Sequence, residues 1–287
     1  FVNLLRLNAK MPISNSLSFE TASISICETA AESIGGDLQS FSNIEAGNVL
    51  FAISKLGLDW QIEERQSLFV GVRNMNEDYF ASPVTTFFSN SSCGIYPTIA
   101  ANYSIANYPL VSMGVHYSYE TEPIKVQASL YNGTGYNRFS GRENVFRVCP
   151  KSDGVFGLAQ VEFQNKGSYY FLGNSVYCNE GVSVTPWTYA EQRVNDKLKV
   201  IAGLSHAFTD KPVCKDFVGL GAHYESGRFE FGVFSDYANF VETEEWATEL
   251  TCKYAITDNI SIQPVTHLIV TGGQLEGIAC LRLNIRY

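Results

Sequence analysis

The chain closes on Leu-Arg-Leu-Asn-Ile-Arg-Tyr at positions 281–287, where apolar and polar residues alternate up to an aromatic end. Successive side chains of a β-strand point to opposite faces, so this segment predicts a strand with one apolar and one polar face. Similar alternation recurs along the whole chain, and no helical stretch interrupts it. Repeated short strands of this kind are typical of a transmembrane antiparallel β-barrel.

The alternating pattern predicts fifteen strands, joined by turns that are rich in Asn, Asp, Ser and Gly. The predicted strands are residues 1–13, 17–30, 48–62, 66–80, 109–123, 124–136, 155–166, 167–181, 184–196, 198–210, 214–227, 228–241, 244–259, 260–274 and 275–287. Bacterial barrels have an even number of strands, so we expect sixteen in the intact protein. A signal peptide and one strand are expected to precede Phe1, unless the pattern splits or hides a strand.

Composition argues against several other classes of protein. No run of 18 apolar residues occurs, so the sequence predicts no transmembrane helix. The net charge is −9 and no basic stripe is present, which argues against nucleic acid as a partner. Aromatic residues make up 13% of the chain, as the interfacial girdles of a barrel require. Without a linker or a charge run, residues 1–287 are interpreted as a single domain.

The seven cysteines show neither a Cys-x-x-Cys pair nor a cluster with His at metal-ligand spacing. We therefore expect no zinc site and no cofactor. An odd number of cysteines spread evenly along the chain also argues against a disulfide framework. Several of them are interpreted as small apolar side chains of the barrel wall.

The longest predicted connection spans residues 81–108 and is unusually apolar. It contains Phe-Phe-Ser-Asn-Ser-Ser-Cys-Gly-Ile-Tyr-Pro at positions 87–97. A loop of this composition needs a surface to pack against, because apolar side chains gain free energy when they leave water. We expect it to fold into the lumen and narrow a pore. The alternative is a cap packed over the outer end of the barrel.

Several stretches occur in a fixed order along the chain. They read Gly-Asp-Leu-Gln-Ser-Phe-Ser-Asn-Ile-Glu-Ala at 36–46, Gly-Val-Arg-Asn-Met-Asn-Glu-Asp-Tyr-Phe at 71–80, Phe-Ser-Asn-Ser-Ser-Cys-Gly-Ile at 88–95, Leu-Tyr-Asn-Gly at 130–133, Gly-Val-Phe at 154–156 and Ile-Gln-Pro at 262–264. Together they resemble the carbohydrate-selective porin family of the OprB type, in its Bacteroides-like form. The family normally has Phe where Cys93 stands, and its N-terminal helix and first strand are not matched by residues 1–287.

The resemblance implies a 16-stranded porin of the bacterial outer membrane for passive uptake of sugars and other small polar solutes. It implies sugars and outer-membrane lipid as partners. Related members of the family serve different solutes, so the identity of the solute is not carried over. Monomer and trimer both stay open.

Parity within the strands assigns side chains to the lumen or to lipid. In residues 66–80, Leu68, Val70 and Val72 form the lipid face, so Arg73 and Glu77 turn inward. On other strands the predicted lipid face includes Val115, Leu130, Trp246 and Leu283. The same reasoning places further side chains in the lumen: Arg6, Asn8, Lys10, His116, Lys125, Gln127, Tyr131, Glu249, Gln263 and Arg282. Arg73 and Glu77 are the leading candidates for contact with a sugar, because they lie at the base of the long loop.

Two other functions stay open at this point. A structural or assembly barrel would have the same strands without a transport role. An outer-membrane lipid hydrolase would need a Ser and a His on the outer wall, and of the four histidines only His206 shares an outward face with Leu204 and Phe208. No orienting carboxylate, amide or nucleophilic Ser is predicted beside it. We therefore expect a protein that is not an enzyme.

Overall fold

The computed structural model describes residues 2–28, 38, 39, 42 and 47–285, and fifteen strands of this part form one antiparallel sheet. They are β1 (Val2–Pro12), β2 (Leu17–Glu28), β3 (Val49–Glu63), β4 (Gln66–Arg73), β5 (Ser112–Thr121), β6 (Ile124–Asn132), β7 (Val155–Asn165), β8 (Ser168–Cys178), β9 (Val182–Arg193), β10 (Leu198–His206), β11 (Cys214–Ser226), β12 (Phe229–Phe240), β13 (Glu244–Ala255), β14 (Ile260–Thr271) and β15 (Gln274–Ile285). Each strand pairs with its neighbours in sequence. The predicted all-β antiparallel barrel, with its fifteen strand segments, is confirmed.

The edges of the sheet are β1 and β15, and no ladder joins them among the described residues. The expected sixteenth strand stays a prediction. The stretch at positions 36–46 is described only at residues 38, 39 and 42, and positions 286 and 287 lie outside the described residues.

Several predicted strands are shorter in the structure, among them the three from β4 to β6. The strand predicted over 66–80 ends at Arg73, the one predicted over 109–123 begins at Ser112, and the one predicted over 124–136 ends at Asn132. Asn74 explains the first difference. Its side-chain oxygen accepts a hydrogen bond from the N–H of Asn76 at 2.8 Å, and its amide donates to the carbonyl of Leu110 at 2.6 Å. These local bonds replace the backbone hydrogen bonds that would otherwise extend the pairing of β4 with its neighbours.

The connections differ between the two ends of the sheet. At the short-turn end, seven connections of two to four residues join β1 to β2, β3 to β4 and so on to β13 and β14. One of them is a two-residue hairpin in which Lys166 has φ 48° and Gly167 has φ 82°. Two central residues with positive φ match the right-handed twist of the flanking strands. The opposite, long-loop end carries the connections 29–48, 74–111 and 133–154.

The outer wall exposes large apolar side chains at alternate positions. In the middle of β11, Leu220 is 60% exposed, whereas the inward Phe217 is 1% exposed. Val70, Val115, Leu130, Trp246 and Leu283 are likewise exposed, as the parity argument predicted. An apolar band of this extent is suited to hydrocarbon rather than water.

Val72 is an exception on this outer face. Parity predicted that it would contact lipid, but the side chain is fully buried in a cluster with Val111 and Val145. Val145 belongs to the connection 133–154, which therefore covers the wall at this point. The prediction that Val72 faces lipid was wrong, because strand parity carries no information about a distant loop that folds over the strand.

Helical structure is limited to short pieces, including α1 (Pro97–Ala100) and α2 (Pro150–Asp153). Within the described ranges, no helix has the length and apolar composition needed to cross a membrane. No group of three or more His, Cys, Asp or Glu side chains in that part of the chain could hold a metal ion. The seven cysteines are all free, and Cys93 and Cys214 are buried in the main apolar cluster inside the barrel.

Asp153 organises the connection 133–154. Its carboxylate is 6% exposed and accepts hydrogen bonds from Asn132 Nδ2 at 3.0 Å, Tyr136 Oη at 2.9 Å, Arg147 Nε at 3.0 Å and Ser152 Oγ at 2.6 Å. Hydrogen bonds to a charged group are stronger than neutral ones. One carboxylate thus ties the connection to the ends of β6 and β7.

Replacing Asp153 by Asn should loosen this connection, because the amide cannot accept all four bonds as a charged group. Tryptic cleavage after Arg147 should become roughly tenfold faster, since each bond to a charged group contributes about 1.5–3 kcal/mol. The rate is measured on folded protein in detergent. Asp258→Asn, in a turn at the short-turn end, is the control, and equal cleavage rates in both variants would contradict this role.

The same network has a defined pH dependence. Burial alone would raise the pKa of Asp153, but bonds from Ser152, Arg147, Asn132 and Tyr136 lower that pKa to about 2. A depressed carboxyl pKa stabilises the fold fully above the unfolded pKa of about 3.9, and this stabilisation is lost as pH falls through the folded pKa. Under pepsin, the difference between wild type and Asp153→Asn should therefore be full at pH 5 and vanish near pH 2.

Candidate functional site

The connection between β4 and β5, residues 74–111, is called the lumen loop. It contains α1 and 3-10 turns at Met75–Glu77, Thr85–Phe87, Ser91–Cys93 and Ser104–Ala106. Asn74 and Asn90 each precede such a turn, and each side chain accepts a hydrogen bond from the backbone N–H two residues later. Asn favours this Asx-turn geometry. The loop is therefore compact without a β-ladder of its own.

Aromatic side chains attach the lumen loop to the inner wall. Phe80 packs on Trp187 of β9 with ring centroids 4.6 Å apart, and Tyr96 packs on Phe217 of β11 at 4.5 Å. Burying one such side chain contributes roughly 1.5–3 kcal/mol. The prediction that the long loop folds into the lumen is confirmed, and the alternative of an external cap was wrong.

Glycines of the wall make room for these rings. A Cβ on Gly232 of β12 would lie 2.5 Å from the ring of Phe87 and 2.8 Å from that of Phe88. A Cβ on Gly203 of β10 would lie 2.3 Å from the hydroxyl of Tyr96. The flat patches left by these glycines are where the lumen loop can approach the wall closely.

Gly232→Ala should therefore destabilise the docked lumen loop. Overpacking of this kind costs about 1–3 kcal/mol, because the buried rings must move. The midpoint of unfolding in urea, followed by tryptophan fluorescence in detergent, should fall. Gly277→Ala in β15 is the matched control, since its added Cβ meets nothing closer than 3.9 Å. A midpoint that falls equally in both variants would contradict the packing argument.

Buried carboxylates of the wall hold the loop backbone. Glu249 of β13 accepts hydrogen bonds from the N–H groups of Ser89 at 3.0 Å and Asn90 at 2.7 Å. Glu191 of β9 accepts one from the N–H of Val84 at 3.2 Å. Both glutamates are fully buried. Loop N–H groups that lie away from water thus receive charged acceptors from the barrel.

Removing one such acceptor should free the backbone that it holds. In Glu249→Ala, the amides of Ser89 and Asn90 should exchange with deuterium roughly tenfold faster or more, since each lost bond contributes about 1.5–3 kcal/mol. Exchange is read by mass spectrometry of peptides that cover the loop. Glu225→Ala, at an exposed position of β11, is the control. Unchanged protection in Glu249→Ala would show that the loop is held by its aromatic contacts alone.

A second connection reaches the same wall. Gln39, between β2 and β3, donates from its backbone N–H to Glu245 at 3.2 Å and from its side chain to Asp236 at 3.0 Å. Asp236 also accepts hydrogen bonds from Asn90 Nδ2 at 2.9 Å and Ser92 Oγ at 2.7 Å. Gln39 and the lumen loop therefore lie side by side on the wall formed by β12 and β13. These strands are far in sequence from β2 and β3, which flank residue 39.

Arg73 lies at the base of the lumen loop, as predicted. Its side chain is 9% exposed and forms an ion pair with Asp78. The side chain of Glu77 lies outside the described residues. His116 is buried, and its Nδ1 lies 2.8 Å from the hydroxyl of Ser129. The Nε2 atom of His116 lies 3.6 Å from Asp78 Oδ1, so Arg73 and His116 both contact the loop at Asp78.

The candidates on β6 lie beneath the loop or at its border. Gln127 is fully buried, and its amide donates to Glu162 and to the carbonyl of Asp78, each at 2.6 Å. Tyr131 is buried in the main apolar cluster. Lys125 is 32% exposed, with its Nζ 3.8 Å from Glu162.

The candidates on β14 and β15 also touch the loop. The amide of Gln263 donates to the carbonyl of Phe87 at 2.9 Å, and Arg282 Nη1 donates to that of Phe88 at 3.5 Å. Arg6 is exposed on β1 and donates to Asn8 at 3.0 Å. Contact of these residues with a solute stays a prediction.

The side of the lumen formed by β1 to β3 carries a row of ion-paired side chains, called the charged ladder, that was not among the leading candidates. It consists of Lys10, Glu20, Lys55 and Asp59. Lys10 is 62% exposed, and its Nζ lies 2.7 Å from Glu20 and 3.3 Å from Asp59. Lys55 pairs with Glu20 as well. Parity contained this signal, because Lys55 and Asp59 alternate with apolar residues along β3.

His206 differs from its prediction. The sequence predicted no acidic partner, but Nδ1 of His206 lies 2.6 Å from Asp216 Oδ1, and Asn239 donates to the other carboxylate oxygen at 2.8 Å. The partner was missed because Asp216 is on the adjacent strand and ladder pairing brings it opposite. In the part of the chain that the structure describes, no hydroxyl is hydrogen-bonded to this ring.

Comparison with solved structures gives the same architecture. The chain is similar to the Pseudomonas putida protein OprB, with a TM-score of 0.79 and 14% identity over 99% of this chain and 87% of that one. It is also similar to a mutant of the Rh. blastica porin, with a TM-score of 0.68 and 9% identity over 100% of this chain and 91% of that one. No protein-family model and no curated protein matches the sequence, so sequence comparison does not confirm the OprB-type or Bacteroides-like assignment. The chain has a porin-type β-barrel fold.

Proposed function

We propose that this protein is an outer-membrane porin through which carbohydrates and other small polar solutes diffuse passively. The observation that carries the proposal is the loop docked inside the barrel. It fills one side of the lumen with apolar side chains and leaves the charged ladder of Lys10, Glu20 and Asp59 outside this cluster on the other, with the Lys10 side chain 62% exposed. A barrel with an accessible polar wall and an internal loop has the form of a size-limited channel.

Mixed charges suit the passage of sugars. A sugar hydroxyl both donates and accepts, and it loses water only if the wall offers equivalent partners. The ladder supplies an ammonium donor beside two carboxylate acceptors within 3.3 Å. The similarity to a protein named OprB is consistent with this solute class. No covalent step is needed for diffusion, and we infer that the protein is not an enzyme.

The outer wall supports a place in a membrane. Leu172, Leu204 and Leu283 are all more than half exposed and lie on three separate strands. We infer that lipid of the bacterial outer membrane covers this band, with further copies of the chain as a second occupant of the wall. Cross-linking in detergent and in native membranes distinguishes a monomer from a trimer.

Reconstitution tests the proposed function. In planar bilayers the purified protein should produce discrete conductance steps, and proteoliposomes should swell in monosaccharides faster than in longer oligosaccharides, because the pore limits solute size. Heat-denatured protein is the control. A folded protein without conductance would instead support a structural or assembly barrel.

A further inference from the structure

The lumen contains two cavities, one on each side of the lumen loop, of which the first has a mixed lining and the second a mainly polar one. The first, of about 550 Å³, opens toward the long-loop end and is lined by Gln39, Asn76 and Tyr108 among others. The second, of about 530 Å³, opens toward the short-turn end and is lined by Lys253 and Arg282 among others. Of the described residues, Thr86 alone lines both cavities.

Thr86 differs from its neighbours in exposure. In the 3-10 turn Thr85–Phe87, both flanking residues are buried, whereas Thr86 is exposed. Its hydroxyl donates to the carbonyl of Pro83 at 3.1 Å, which keeps the side chain on the loop. Threonine thus presents a methyl group and a single hydroxyl to the space between the cavities.

The backbone on both sides of Thr86 is held by the barrel. Before it, the N–H of Val84 donates to the buried Glu191. After it, the carbonyl of Phe87 accepts from Gln263 at 2.9 Å. Side chains of β9 and β14 therefore determine how far this turn projects into the lumen.

The opposite side of the lumen is blocked. A third cavity of about 540 Å³ opens at the short-turn end between β5 and β8, lined by Lys125, Glu162 and Tyr169 among others. In the described part of the chain it shares no lining residue with the cavity at the long-loop end. Phe80 and Trp187 belong to the buried cluster that fills this side of the lumen.

We propose that permeation follows an off-centre route past Thr86, and that Thr86 is the residue that sets the size limit of the channel. The proposal rests on the proposed function. A solute enters the first cavity beside Asn76 and Tyr108, passes Thr86 and leaves beside Lys253 and Arg282. The pocket beside Lys125 and Glu162 fills with water and solute but is a dead end.

Single cysteines at matched inward positions test this route. Thr86→Cys lies on the proposed route, and Gln164→Cys lines the blind cavity, where Gln164 is exposed. A thiol-reactive ammonium reagent is added to open channels, and the response of wild type, with its native cysteines, is subtracted. Current through Thr86→Cys should fall to roughly half or less, because pore diameter limits conductance, and current through Gln164→Cys should not change.

A second pair of variants needs no reagent. Thr86→Trp should reduce unitary conductance to roughly half or less and exclude larger sugars from proteoliposomes, whereas Gln164→Trp should leave both at wild-type values. Equal effects at the two positions, an effect at Gln164 alone, or no labelling of Thr86→Cys by mass spectrometry would overturn the route. Wild-type protein that folds without conductance would instead contradict the proposed function, so the two failures are distinguishable.

Discussion

The interior of this barrel depends on how an irregular loop satisfies its backbone N–H groups away from water. An unpaired buried N–H costs about 1–3 kcal/mol, and the lumen loop has few ladder partners of its own. Glu249 and Glu191 supply charged acceptors from the wall. Asp236 adds an acceptor for loop side chains at Asn90 and Ser92. These bonds determine the position of the loop, and the loop determines where water remains in the lumen.

The loop divides the lumen into two sides. One side is packed with apolar side chains and is called the dry side, and the other carries the charged groups and is called the wet side. On the dry side, aromatic pairs such as Phe80 with Trp187 pack as in the core of a soluble domain. On the wet side, Lys10, Glu20 and Asp59 keep their charges near solvent. An inward-pointing side chain therefore has one of two roles. Gln127 supports the loop, whereas Lys10 is exposed on the wall away from it.

Strand parity was informative because every second residue of a strand lies on the outer face of the barrel. It placed Leu283 and Trp246 outside and His116 and Glu249 inside without any knowledge of contacts. It failed at Val72, which a distant connection covers, and it could not pair His206 with Asp216. Both misses involve residues far apart in sequence, and local alternation carries no information about such contacts.

Sequence alone determined the order of the strands, their two faces and the presence of an apolar loop that had to pack somewhere. These properties follow from period-two alternation and turn chemistry, which are local. Only the tertiary structure decided which inward residues are covered, which wall the loop contacts and why Arg73 pairs with Asp78 beneath it. The physical reason is that the open space inside a barrel is what packing leaves. That space is set by the volumes and hydrogen bonds of residues that the chain brings together only when it folds.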